Sequence, residues 1–156
     1  MGFNKKVLFI IKWYFVLISL VSIVSCQASL FSYRGRTVEP DRRIDLLEGG
    51  PHGGFWQTFD LTIEYKYEKK ADKLQLSGVA ELSDHYKYNY ESLDHFYLTA
   101  FFLDIEGKVL EGKLVLNTIT SVPDDKFSFK KILEIPPGTV SIAFHDMFQV
   151  REALRN

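Results

Sequence analysis

Three of the four histidines stand beside an aspartate, as Asp84-His85, Asp94-His95 and His145-Asp146. Imidazole and carboxylate are zinc ligands and the acid and base partners of hydrolysis, so one reading is a metal-dependent enzyme built on His85, His95 and His145. Such a site needs three groups to converge, and the spacing shows no convergence. His85 and His95 bracket one loop, and no His-Glu-x-x-His pair sits on a helical stretch. On a strand, neighbours point to opposite faces, so a His-Asp dipeptide does not make an oriented pair. There is no Gly-x-Ser-x-Gly elbow to expose a nucleophile. The expectation is a non-enzymatic protein without metal or cofactor.

A second constellation is Tyr86, Tyr88 and Tyr90, which at period two project from one side of an extended segment, with Lys87 and Asn89 opposite. A tyrosine row offers rigid amphipathic area to a sugar, a peptide or a protein. Tyrosine rows also occur on outer sheet faces without any ligand.

The elements that position these residues read as strands. Residues 58–68 alternate Phe59, Leu61, Ile63, Tyr65 and Tyr67 with charged or polar neighbours, and 73–82 alternate again, with Gly78 where a bulge or a close approach fits. Residues 96–105 are apolar on both faces, as in a strand buried on both sides. Asp104-Ile105-Glu106-Gly107-Lys108 is a tight turn with Gly where positive φ is needed, and 109–117 is its partner strand. Residues 126–135 carry Lys131 on an otherwise apolar face, as a bulge or an edge charge. Pro136-Pro137-Gly138 is a stop before a last strand over 140–148. Six to seven strands and no helix in this part predict an all-β antiparallel sandwich of immunoglobulin-like type. Residues 73–116, through Leu76-Ser77-Gly78-Val79, Phe96-Tyr97-Leu98-Thr99-Ala100-Phe101-Phe102-Leu103-Asp104 and Gly107-Lys108-Val109-Leu110, resemble the envelope sandwich domains of the FxLYD class. In that class a strand runs into an Asp-x-x-Gly turn. The Leu-Tyr-Asp signature is absent and only part of the chain is covered, so the resemblance implies a fold and no activity.

Net charge is -1 with acids and bases interspersed, which leaves no basic stripe and excludes nucleic acid as an expected partner. Residues 27–60 have weak periodicity and read as a tether bearing Arg34, Arg36, Arg42 and Arg43. A flexible chain of about 25 residues reaches roughly 25 to 30 Å, enough to lift a domain off a bilayer. Ile44 to Leu47 is a short apolar patch suited to an edge strand. Glu48-Gly49-Gly50-Pro51-His52-Gly53-Gly54 lacks the Lys-Ser/Thr pair of a phosphate loop and reads as a turn, with His52 exposed.

The beginning of the chain sets where all this sits. Lys5 and Lys6 precede an apolar run over residues 7–24 that closes on Ile23-Val24-Ser25-Cys26, the order of an export signal. Those four residues resemble the lipobox of bacterial lipoproteins. The resemblance implies that Cys26 is acylated and becomes the mature N-terminus, and that the membrane is a partner through it. Gln27 after the cysteine implies, by the same resemblance, the outer membrane. Two other readings stay open: an uncleaved membrane helix, against which Lys12 splits the run, and an ordinary secretory signal cut after Ala28. With Cys26 as anchor, no disulfide can form within the chain. The expected plan is a signal over 1–25, tether and Gly-rich loop over 26–54, β-sandwich over 55–150 and a charged tail over 151–156. The expected role is a lipid-anchored envelope module, facing the periplasm or the cell exterior, that binds or scaffolds a protein or glycan. The alternatives are the metal-dependent enzyme and an accessory subunit of an envelope complex.

Overall fold

The computed structural model describes residues 33–84, 90–118 and 126–152, the side chains of 90–92 and 150–152 excepted. The chain divides into residues 1–32 and 33–156, and the fold is that of the second unit. Period-two alternation builds it. In β3 (Leu61–Lys70), Leu61, Ile63 and Tyr67 are buried while Glu64 and Lys66 point out. Its partner β4 (Lys73–Leu82) buries Leu74, Leu76, Ala80 and Leu82, in unbroken register from Leu61↔Leu82 to Lys70↔Lys73. Gly78 marks no bulge. A side chain there would meet the ring of Phe129 within 2.7 Å, so the close approach is what requires glycine.

Eight strands form among the described residues, in two four-stranded antiparallel sheets. One sheet runs β1 (Ile44–Asp45), β8 (Ser141–Glu152), β5 (Tyr90–Leu103), β6 (Val109–Thr118); the other runs β2 (Gly49–Gln57), β3, β4, β7 (Lys126–Glu134). The inner faces share one core. Phe96 packs edge-on against Phe127 at 5.3 Å, and Phe144 meets Trp56 at 5.7 Å and Phe129 at 6.2 Å. An all-β sandwich is therefore the architecture, with eight strands in place of six to seven.

The edge strand expected at Ile44 to Leu47 forms as β1, and the strand that was not expected lies on the Gly-rich turn. Residues 49–57 are an edge strand paired with β3, with a register shift between Gly49 and His52 next to Pro51. Proline is tolerated at such an edge. Gly54 lies opposite Tyr65, and a Cβ on it would come within 2.9 Å of the tyrosine hydroxyl, so the glycine makes room for an aromatic ring laid across the strand. His52 is half-buried against the ring of Tyr67 at 5.2 Å, not exposed.

Upstream, residues 33–47 are held to the sandwich. Gly35 and Val38 amides donate to the carbonyls of Val109 and Gly107, and the Val109 amide donates to Arg36. The Tyr67 hydroxyl donates to the Asp45 carbonyl at 2.6 Å and accepts from the Leu47 amide at 3.1 Å. Trp56 Nε1 donates to the Arg42 carbonyl at 3.1 Å, at the last residue of a single 3-10 turn over Pro40–Arg42. At the other end, β8 runs on to Glu152, into the segment expected as a tail. Lys131 sits in register on β7, an edge strand, and is an edge charge.

Candidate functional site

The two outer faces of the sandwich differ in chemistry. On the β3-β4-β7 side the outward residues include Glu64, Lys66, Lys73, Glu81, Lys126 and Lys130, with Lys126 and Glu81 paired across strands at 3.3 Å. This is a solvated face of both signs. On the β8-β5-β6 side, outward cross-strand rows read Met147-Tyr97-Asn117, His145-Thr99-Leu114, Ala143-Phe101-Gly112 and Ser141-Leu103-Val109, beyond which His95 faces Gln149. The Ser141 row continues to Asp45 on β1, and the other rows hold no carboxylate.

Half of this face is roofed by the N-terminal segment. Phe101, Leu103, Val109 and Ala143 form a small second core against which Tyr33 and Val38 pack. His145 lies in it, stacked on Phe101 at 5.1 Å and 15° and met by Tyr33 at 4.7 Å. The Arg36 guanidinium lies 4.9 Å from the centre of the Tyr33 ring. Burial pushes the His145 pKa below its ordinary value; the Arg36 charge acts in the same sense and Asp146 opposes it. The imidazole is a stacked ring whose neutral form burial favours. The uncovered half of the face carries Met147, Leu114 and Tyr97, with His95 stacked on Tyr97 at 5.7 Å and 12°. Tyr97 Oη and His95 Nδ1 are 3.4 Å apart.

No protein-family model, curated protein or solved structure matches this chain. The site's chemistry is therefore read from its own residues.

Asp146 is beside His145 in sequence but turns to the inner side of the same strand, opposite Leu98. Burial raises its pKa, and Asp60 pushes the same way, against its own backbone hydrogen bond, His145 and Arg42. The histidine cluster that the alternative reading, a metal-dependent enzyme, would need does not assemble from its described members. His145 lies opposite Thr99 and His95 lies four residues back on β5, a Cα spacing of about 13 Å along the strand. One zinc ion with bonds of about 2 Å cannot take both. Among the described residues no three His, Cys, Asp or Glu side chains gather around a point that could hold a metal. Asp84 is exposed and Asp94 half-buried. His85, Tyr86, Tyr88 and Cys26 lie outside the described residues. Tyr90 opens β5 opposite Glu152.

What the sequence did not reveal is Tyr33 and Arg36 over His145. The signal was there in part. A strand apolar on both faces needs a cover on its outer side, and the aromatic residue that supplies it stood in a stretch without periodicity.

Proposed function

We propose that this chain is a lipid-anchored protein of the bacterial envelope whose β-sandwich is a non-enzymatic binding or scaffolding module. One observation carries the reading: the basic pair Lys5-Lys6, the apolar run after it and the closing Ile23-Val24-Ser25-Cys26. Cys26 is the acylated residue, and Gln27 after it favours the outer membrane. A protein or glycan is the partner class that the Tyr86, Tyr88 and Tyr90 row suits.

An immunoglobulin-like arrangement fits the strand order. β3, β4 and β7 follow the A-B-E order of such domains, and β8, β5 and β6 the F-C-C′ order. The place beside β8 that a final strand takes in those domains is held here by β1, from the start of the fold. A scaffold of this kind supports many roles, so function rests on the anchor and the faces.

Labelled palmitate incorporation with membrane fractionation tests the anchor. The wild type should carry label and sediment with membranes, and Cys26→Ser should lose the label and move to the soluble fraction. An unprocessed Cys26→Ser chain that stays in the membrane would refute the lipoprotein reading in favour of an uncleaved helix over residues 7–24. Among the described residues, no helix is long and apolar enough to cross a membrane.

A further inference from the structure

We propose that the outer face of the β8-β5-β6 sheet lies against the lipid head groups of the membrane that carries the anchor. The proposal rests on acylation at Cys26. The fold begins at Tyr33, so the link to Cys26 is seven Cα steps. At full extension that spans at most about 25 Å. A domain of this size is on the order of 35 Å across. Such a link keeps Tyr33 within about 25 Å of the acylated cysteine, far closer than a tether reaching residue 54 would.

The link also selects the face. Tyr33, its first described residue, is packed on the outer side of β5 and β8, against Phe101 and His145. Arg34 and Arg36, both exposed on the segment that roofs part of this face, match anionic head groups, while Asp45 on β1 stands at the end of the Ser141 row. The uncovered half adds exposed apolar area, with Met147 54% and Leu114 41% exposed, and Tyr97 supplies an amphipathic ring suited to the interface. The opposite outer face carries charges of both signs together with exposed Phe55 and Ile132.

The test uses the acylated full-length protein in vesicles of phosphatidylglycerol and phosphatidylethanolamine with brominated acyl chains. Once Cys26 is acylated at sulfur, a cysteine introduced by Met147→Cys, Leu114→Cys or Ile132→Cys is the sole thiol for a bimane label. Ile132 is the control, 67% exposed on the other outer face. Brominated lipid should quench bimane at 147 and 114 several-fold more than at 132, and Arg34→Glu should reduce the quenching at 147. Equal quenching at all three sites in vesicle-bound protein would overturn the proposal while leaving the anchor intact. So would a label at 147 that is shielded from aqueous iodide yet unquenched by lipid, which would assign the face to a second copy of the chain. Protein that fails to float with the vesicles would overturn both the anchor and the face.

Discussion

The guanidinium of Arg43 lies over Gly107, in the space a side chain at that position would fill. From there its Nε and Nη2 donate to the Val38 carbonyl at 2.9 and 2.6 Å. One arginine thus closes the N-terminal segment onto the turn between β5 and β6, whose Asp104 side chain accepts from the Glu106 and Lys108 amides. An arginine expected as a solvated linker charge is a packing residue of the fold.

Gly107→Ala tests this pairing. At φ 81° an alanine is strained by roughly 1–2 kcal/mol, and its Cβ must displace the guanidinium from bonds worth about 1.5–3 kcal/mol. Urea unfolding should show a loss of about 2.5–5 kcal/mol with an unchanged slope. In an Arg43→Ala background the same substitution should cost only the strain, giving a coupling of about 1 kcal/mol or more in a double-mutant cycle. A coupling of zero would show that Arg43 does not hold the segment.

Tyr67→Phe removes a hydroxyl that serves two backbone groups of the N-terminal segment, Asp45 and Leu47. With Tyr67 buried, those groups lose partners that water does not readily replace, at about 1–3 kcal/mol. The Leu47 amide should exchange faster by at least the factor lost in global stability. Unaltered exchange would mean that the segment is held by other contacts.

The half-buried strands were legible because a strand with one wet face writes its burial into period-two alternation, as 61–70 does. The turn at Gly107 was legible because positive φ selects glycine locally. The Gly-rich stretch was not, because the reason for Gly54 is the ring of Tyr65 on the next strand. Residues 33–43 were opaque for the same cause: Trp56 and Arg43 hold them through single long side chains, which leave no period. Parity alone foretold that His145 and Asp146 separate to opposite faces. It could not foretell that Tyr33 would roof the histidine, a contact set by the return of the chain and not by local pattern.

Ala71 turns the β3-β4 hairpin at φ 53°, a conformation that strains an L residue with a Cβ by roughly 1–2 kcal/mol. Asparagine tolerates this region because its side chain bonds locally to the backbone. Ala71→Asn should therefore raise stability by about 0.5–1 kcal/mol, and Ala71→Val should lower it. A drop in the urea midpoint for Ala71→Asn would contradict the turn geometry.

Acid should act on the fold in two opposed ways. The His145 pKa is lowered from 6.5 by burial, so as pH falls below that value the unfolded chain takes up a proton first. Stability from this group is complete above 6.5 and is lost as pH falls toward the folded value. Asp146 runs the other way. Its pKa is raised from 3.8 by burial, so the native chain holds the proton longer, and its contribution is largest below 3.8 and is lost as pH rises through the folded value. Above its raised pKa, Asp146 is a carboxylate charged in a partly desolvated place, between Asp60, which repels it, and Arg42, which attracts it. Asp146→Asn should be more stable than wild type at about pH 7, and the gain should shrink as pH falls to about 3.5. His145→Phe keeps a ring on Phe101 and should remove the loss that begins below 6.5. Urea unfolding of both variants across this range measures each difference, and a gain for Asp146→Asn that does not change with pH would show that the Asp146 carboxylate is not desolvated in the native fold.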